Sequence, residues 1–523
     1  MKPLYEQDPS SFVEEAETAL LQRLRATAAV ILPQSHDEDA LALRGPGVLA
    51  DHLARQVRAS AKVDELWLLL TALAASFPDA ELVNRARRDL SLADPALSLI
   101  TLLDCISRSG RRLRALTQQL DIVQQQAVVD VDFCARYDHN TGIQRVVRET
   151  VSLWSSSHDI VLARWTENDE IFCATDEVER RRVLEWNRRD RVVPKRGSIH
   201  GAATDEATRL IVPFRTSVIL PEVAREGVSG RLAALAEFSG NRVVMIGYDA
   251  IPFVTADLIQ KVEIEKFARY STVVKNSTRV AAISESAAEE FRGFVQAVNA
   301  QGVTGPTVSA VILPAQVPGA QTLSTPSAGP SDERSDTGER MVLIVGNQEP
   351  RKNLLAVLFA AETLWRQGLS FRLRMIGGAR PDYKRLVDRE VARLNRAGYS
   401  VELLRGVSDD VLTDSYRAAW FTIFPSLHEG YGLPVAESLA FGIPSITSDF
   451  GSTAEIAQGG GCLVVDPRDD SQIADAMRLL LTDDEAHRRL VDQARGREPR
   501  RWSDYADELW HELMEPLEAG SHD

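Results

Sequence analysis

The sequence predicts an α/β protein of two facing Rossmann-like domains with an extra amino-terminal helical region. Three observations predict it. Two strand–loop–helix units stand in the last third of the chain, at 341–368 and 420–442. Upstream, residues 127–316 alternate short apolar strands with helical stretches, as a parallel sheet wrapped by helices would. Between these regions, Pro318 to Glu339 is rich in Pro, Ser, Thr, Gly and Asp with little apolar content, the composition of a flexible linker.

Residues 1–126 read as helices, with Leu and Ala at helical spacing from Leu20 to Val30, Val63 to Ala75 and Ile100 to Leu120, separated by polar or proline-bearing breaks. They match no motif. Oligomerisation, partner docking and bracing of the next domain all fit this helical extension. From Val128 to Phe133 the chain reads as the first strand of a sheet, followed by the glycine-bearing run Thr141-Gly142-Ile143-Gln144-Arg145-Val146-Val147. Further strands are expected at Arg209 to Val212, Ser217 to Leu220, Val243 to Ile246 and Val308 to Leu313. These make the domain 127–316; a linker over 317–340 and a second sheet domain over 341–523 follow.

Composition bounds the class. A chain of 523 residues exceeds what one core usually supports, and its hydrophobic fraction of 44% is ordinary for a globular protein. The net charge of -15 opposes broad attraction to nucleic acid or anionic lipid. Two arginine clusters run against that mean: Arg108, Arg111, Arg112 and Arg114, interleaved with Leu113 and Leu116, and Arg180 to Arg182 with Arg188 and Arg189. Both read foremost as solvated faces, the first leaving peripheral contact with the inner membrane face open. Neither a 20-residue apolar span nor a signal-peptide core is evident, so a cytoplasmic protein is expected. Cys105, Cys134, Cys173 and Cys462 are scattered without metal-ligand spacing, which argues against a disulfide framework and a zinc site.

The chemistry concentrates in the second domain. Trp420 to Phe424 is an apolar strand, and His428-Glu429-Gly430-Tyr431-Gly432-Leu433-Pro434 turns into a helix with Pro434 in its first turn. Gly430 and Gly432 allow close backbone approach to a ligand, and the helix amino terminus favours a phosphate. Glu429 is placed to accept hydrogen bonds from sugar hydroxyls, whereas Glu437, about two helical turns on, is placed for a ribose diol. In the other unit, Met341 to Val345 is a strand, Gly346-Asn347-Gln348-Glu349-Pro350 a turn, and Asn353 precedes a helix ending near Gly368. Arg351 and Lys352 sit where that helix begins, so two cations and free amides face one point, which suits a diphosphate. The bland alternatives are a solvated basic pair and an ordinary strand-to-helix loop. Together the two motifs point to a sugar nucleotide.

These motifs resemble those of the retaining GT-B glycosyltransferases of family 4, including bacterial mannosyl- and rhamnosyltransferases. The resemblance covers most of residues 341–515, through Gly346 to Asn353, Ser408-Asp409-Asp410, Tyr416-Arg417-Ala418-Ala419, Phe424-Pro425-Ser426, Glu429 to Glu437, Gly442-Ile443-Pro444, Ala454-Glu455-Ile456 and Trp502-Ser503. Upstream, Gly142 matches the family loop that closes over the donor diphosphate, and Met245 to Pro252 and Ala281 to Ser286 match two further segments. The resemblance implies that 127–316 is the acceptor-side domain and that a final helix, roughly Trp502 to Leu517, packs back across the domain boundary. It also implies metal-independent transfer with retention, no cofactor, and a nucleotide-diphosphate sugar donor, with a GDP-sugar favoured. Hexose, as mannose or rhamnose, would pass to a surface polysaccharide or lipid-linked glycan.

Expected catalytic residues are Glu429, Arg351, Lys352, Asp249 and Tyr248, with Glu437, Gly430, Tyr431, Gly432, Leu433, Gly142 and Asn347 on the donor. Tyr248 departs from the family, which usually places histidine there; a phenol with its pKa near 10 cannot carry positive charge at neutral pH. Asp249 reads either as an acceptor-side carboxylate or as the cap of the following turn. Tyr248 also motivates an alternative, a non-catalytic GT-B protein that binds glycan or scaffolds a synthase. A nucleotide-sugar epimerase or a glucan phosphorylase is a further rival, the latter lacking an identifiable pyridoxal-binding lysine.

Overall fold

A computed structural model describes residues 9–32, 41–109, 115–139, 141–186, 209–315, 339–498 and 500–515. The expected linker lies almost wholly outside them, as do Arg111, Arg112, Leu113, Arg114, Arg188 and Arg189.

Among the described residues, two sheets carry the fold. The first has nine strands: β1 (Leu120–Val123), β2 (Ala127–Asp130), β3 (Ile160–Trp165), β4 (Phe172–Ala174), β5 (Leu210–Pro213), β6 (Ser217–Leu220), β7 (Arg242–Gly247), β8 (Arg279–Ala282) and β9 (Thr307–Ala310). Their order is β1-β5-β4-β3-β2-β6-β7-β8-β9. The second sheet holds β10 (Arg340–Val345), β11 (Phe371–Ile376), β12 (Val401–Leu404), β13 (Phe421–Phe424), β14 (Ser445–Ser448) and β15 (Cys462–Val465), in the order β12-β11-β10-β13-β14-β15. All pairings in the second sheet are parallel, with Val342 beside Phe421 and Leu343 beside Thr422. In both sheets the order reverses beside the strand that starts the doubly wound pattern, between β10 and β13 and between β2 and β6. Ligands of open α/β sheets bind outside the carboxyl ends of strands at such points.

The first sheet differs from expectation in three ways. It is mixed, because the short β4 runs antiparallel to both β3 and β5. Its strand β1 starts at Leu120, ahead of the expected boundary at 126/127. And β2 stops at Asp130, so that Phe133 lies in the short helix Asp132–Arg136. The stop has a physical cause: the Glu222 carboxylate accepts the backbone N–H groups of Phe133 and Cys134 at 2.7 and 2.8 Å, which gives these amides a partner outside the ladder.

The amino-terminal helices brace this sheet. Arg23, buried in the helix Pro9–Ile31, donates to the carbonyls of Ala72, Leu116 and Gln118 at 2.7–2.8 Å, and Gln22 exchanges two hydrogen bonds with the backbone of Leu120. Phe77 sets its ring edge-on to Trp165 and Phe172, at centroid distances of 5.8 and 5.4 Å. One apolar core therefore runs from Leu24 through the nine-stranded sheet.

At the other end, the helix Trp502–Met514 returns from the second domain to the first. Trp154 donates its indole N–H to the Ala506 carbonyl at 2.9 Å, and Arg242 grips the carbonyls of Leu513 and Met514. No helix among the described residues is long and apolar enough to cross a membrane.

Candidate functional site

The loops after β10 and β13 meet at the switch point of the second sheet. After β10 the chain makes the turn Pro350–Lys352, then Asn353 takes a left-handed conformation (φ 56°) and leads the helix Leu354–Arg366. After β13 it runs through Glu429 to the helix Leu433–Ala440, with Pro434 in the first turn. The Glu429 carboxylate accepts from Arg351 at 2.9 Å and from Lys352 at 2.5 Å. Arg351 also pairs with Glu349 at 2.8 Å and donates to the His428 carbonyl. Although burial opposes ionisation, Lys352 and Arg351 hold the Glu429 carboxyl down at about 2. Burial likewise works against the Arg351 charge, yet Glu429 and Glu349 leave its pKa above the ordinary value.

Glu437 stands one turn into the next helix, and one of its oxygens accepts the Tyr416 hydroxyl at 2.9 Å. The other meets Arg145 of the first domain at 3.2 Å. Arg145 sits three residues into the helix Gly142–Ser157, whose start is fixed by a capping box between Thr141 and Gln144. Gly142 lies against Leu433, where a Cβ would come within 2.8 Å of its side chain. The glycine-bearing loop and the donor loop are thus in direct contact.

A second cross-domain contact lies beside Glu429. A Cβ on Gly430 would fall 2.6 Å from the Tyr248 carbonyl and 2.9 Å from the Asp249 carboxylate. His428 bonds Glu290 at 2.7 Å, and Glu290 in turn accepts the N–H of Ala250. Asp249 accepts the N–H of Ile251 at 3.2 Å, the capping role foreseen for it, while burial and the neighbouring Glu290 push its carboxyl up to about 6. Glu455 of the second domain accepts the N–H groups of Glu285 and Ser286 at the start of the helix Glu285–Asn299.

Most expected site residues therefore converge on the boundary between the two domains: Arg351, Lys352, Glu429, Gly430, Glu437, Leu433, Gly142 and Asp249. Four stand differently from what their motif positions suggest. Tyr248 is buried and donates its hydroxyl to the Pro221 carbonyl at 2.8 Å, inside the first domain. Tyr431 is buried too and donates to the Leu313 carbonyl at 2.7 Å, so it fastens the loop to the first domain. Gly432, at φ 105°, meets protein: a Cβ there would lie 2.7 Å from the Thr453 side chain. Asn347 is exposed beside Gly378. Sequence reasoning gave no role to Glu290, His428 or Arg145. His428 and Arg145 stood inside quoted motifs, but Glu290 is one acid in an amphipathic helix and carried no signal.

Two doubly wound sheets in contact across a charged boundary, with a cation–carboxylate cluster at one switch point, have the architecture of the GT-B class of glycosyltransferase folds. Residues 330–497 match the family described as glycosyl transferases group 1. Among curated relatives, the serotype-specific mannosyltransferase WbdA of Escherichia coli is 25% identical over 348 residues, covering 64% of this chain and 39% of that protein. The O-antigen chain mannosyltransferase B of Escherichia coli is 33% identical over 145 residues, 27% of this chain and 37% of its own length. The D-inositol 3-phosphate glycosyltransferase of Acidothermus cellulolyticus is 35% identical over 150 residues, 27% of this chain and 33% of its own length. The chain thus spans about two fifths or less of the length of these relatives. Among solved structures, Anabaena HepE in complex with UDP and glucose superposes with a TM-score of 0.51 at 10% identity, covering 74% of this chain and 99% of that one, which shows a shared fold.

Proposed function

We propose that the protein is a metal-independent, retaining hexosyltransferase that moves mannose or rhamnose from a nucleotide-diphosphate sugar, GDP-linked by preference, to a bacterial surface polysaccharide or lipid-linked glycan. One observation carries the reading: Arg351, Lys352 and Glu429 meet at the switch point of the second sheet, with Glu437 one turn into the helix that follows and paired with Arg145 of the first domain. The relatives whose names specify mannose transfer support the choice of sugar.

In this reading the diphosphate lies on Arg351 and Lys352, which share their charge between Glu429 and the phosphates. As the glycosidic bond to the diphosphate breaks, negative charge grows on the leaving phosphate, and these fixed cations stabilise it. Each Glu437 oxygen accepts one bond and keeps a lone pair for a ribose hydroxyl. Arg145, entering with the Gly142 helix, brings a third cation only when the domains close. Tyr248 acts by holding the 248–250 loop against Gly430 through its backbone, with Asp249 facing the reacting groups.

The test is incubation of the whole protein with a panel of nucleotide sugars and glycan acceptors, with and without chelator, following nucleotide release and the anomeric configuration of the product by NMR. Transfer from a GDP-hexose, undiminished by chelator and with the anomer preserved, is expected. Binding of one nucleotide sugar without turnover on any acceptor supports the scaffold reading, which the engaged hydroxyl of Tyr248 favours.

A further inference from the structure

The domain boundary carries a second charged cluster beside the clamp, and two of its members, Glu290 and His428, have no part in the grip on the diphosphate. The helix Glu285–Asn299 of the first domain brings Glu290, the loop after β7 brings Asp249, and the second domain brings His428. Glu290 divides its carboxylate between the domains. One oxygen meets Nε2 of the His428 ring at 2.7 Å, and the other accepts the N–H of Ala250 at 2.5 Å, next to Asp249. His428 is divided too, since its carbonyl accepts from Arg351 at 2.9 Å. A continuous path therefore runs from Arg351 through His428 and Glu290 to the Asp249 turn.

This path is charged and shielded. The side chains of His428 and Glu290 are 14% and 8% exposed, so removing either charge leaves the other poorly hydrated. The charged groups facing the imidazole are Glu290 on its helix, Asp249 after β7 and Glu429 in its own loop, with Arg351 bonded to its carbonyl. Arg351 and His428 in turn act on Asp249, against the burial and the Glu290 charge that raise it. Although burial works against the imidazolium, the hydrogen bond to Glu290 and the carboxyls of Asp249 and Glu429 leave the His428 pKa above its ordinary value. The interaction is then complete below the ordinary value of 6.5 and is lost as pH rises through the raised one.

We infer that Glu290 is a positioning residue for sugar transfer: through His428 and the Ala250 N–H it locks the Asp249 turn in register with Arg351, and proton loss from His428 releases the lock. The inference rests on the transferase reading and adds to it how the donor-side cations are coupled to the first domain.

The experiment compares the whole chain with Glu290→Gln, His428→Gln and the double variant. Gln at 290 keeps an acceptor for the Ala250 N–H and loses the charge, while Gln at 428 keeps the carbonyl bonded to Arg351. Nucleotide affinity by calorimetry is expected to stay within threefold of wild type in all three, because the nucleotide grip lies on the second domain. In each single variant kcat is expected to fall at least about tenfold with donor KM within threefold, in the range that a small misplacement costs. The double variant is expected to match the singles within twofold, since all three break one lock. Wild-type kcat is expected to decline as pH rises above 6.5, a limb absent from His428→Gln. Turnover of Glu290→Gln within twofold of wild type, losses that multiply in the double variant, the same alkaline limb in His428→Gln, or nucleotide affinity lost together with turnover overturns the inference. If the wild type transfers no sugar at all, the transferase reading fails and small-angle scattering reads the lock by itself. The radius of gyration of the wild type is then expected to grow from about pH 6 to about pH 9 and that of His428→Gln to stay constant; equal behaviour of the two overturns the lock as well.

Discussion

The two switch points are built from the same topology and opposite electrostatics. Between β10 and β13, the buried Lys352 and the partly buried Arg351 clamp one carboxylate that is held ionised. Between β2 and β6, Asp130 accepts two N–H groups, Glu222 accepts two backbone N–H groups and the Cys134 thiol, and both carboxyls are pushed towards the neutral form. The difference teaches how one topology can hold carboxyls in opposite states: the first point gathers two cations on one carboxylate, while the second surrounds its carboxyls with hydrogen-bond donors and apolar packing. Gly142 and Gly430 let the two sides come into contact.

The largest expected effect comes from breaking the clamp. Lys352→Met leaves Glu429 with one cation in a buried site, at a cost of about 3–5 kcal/mol in denaturant unfolding. Sugar transfer is expected to fall at least about a hundredfold, the scale of losing a group that stabilises transition-state charge.

Next comes the acid response of the clamp. Glu429 has its folded pKa depressed, so its contribution is fully present above the ordinary carboxylate value and is lost as pH falls from about 4.5 through about 2. That shift corresponds to roughly 3 kcal/mol. The stability gap between the wild type and Glu429→Gln is therefore expected to close over this interval; a gap constant from pH 6 to pH 2.5 would contradict the ionised clamp.

Smaller again is Tyr248→Phe. It removes one hydroxyl bond to the Pro221 carbonyl, worth about 1 kcal/mol net, and leaves transfer unchanged. A large drop in turnover without loss of stability would move Tyr248 into the reaction.

The smallest effect belongs to the second switch point. Asp130→Asn replaces a carboxyl already driven towards neutrality with an isosteric amide, so stability at pH 7 changes by less than about 1 kcal/mol. A loss as large as that of Lys352→Met would show that Asp130 is a structural ion, erasing the contrast.

The contrast also explains what was legible in the sequence. Arg351-Lys352 and Glu429 to Glu437 lie in two compact strand–loop–helix segments, where turn glycines, Pro434 and the apolar strand mark both the local structure and the site. Of the second sheet, β10 and β13 were readable for the same reason, as apolar runs, whereas β11, β12 and β14 carry polar residues such as Arg372, Glu402 and Ser445 that break the run. Asp130, Trp165 and Glu222 are scattered over three strands or strand ends, and only the sheet order brings them together. No local pattern announces such a cluster. The early start at β1 escaped because Asp121 interrupts its apolar run, and the antiparallel β4 because three residues carry too few positions for a period to register. Tyr431 and Gly432 matched a ligand-binding pattern, yet both make contacts within the protein, because a motif records residue type and spacing but not which neighbour fills the space.

The central claim is that Arg351 and Lys352 hold a nucleotide diphosphate at the β10/β13 switch point, and calorimetric titration of GDP, UDP and ADP into the wild type and Lys352→Met tests it most directly. The account predicts that at least one nucleotide binds the wild type and that Lys352→Met, checked to be folded, binds it at least tenfold more weakly. Equal affinity in the two proteins would contradict it.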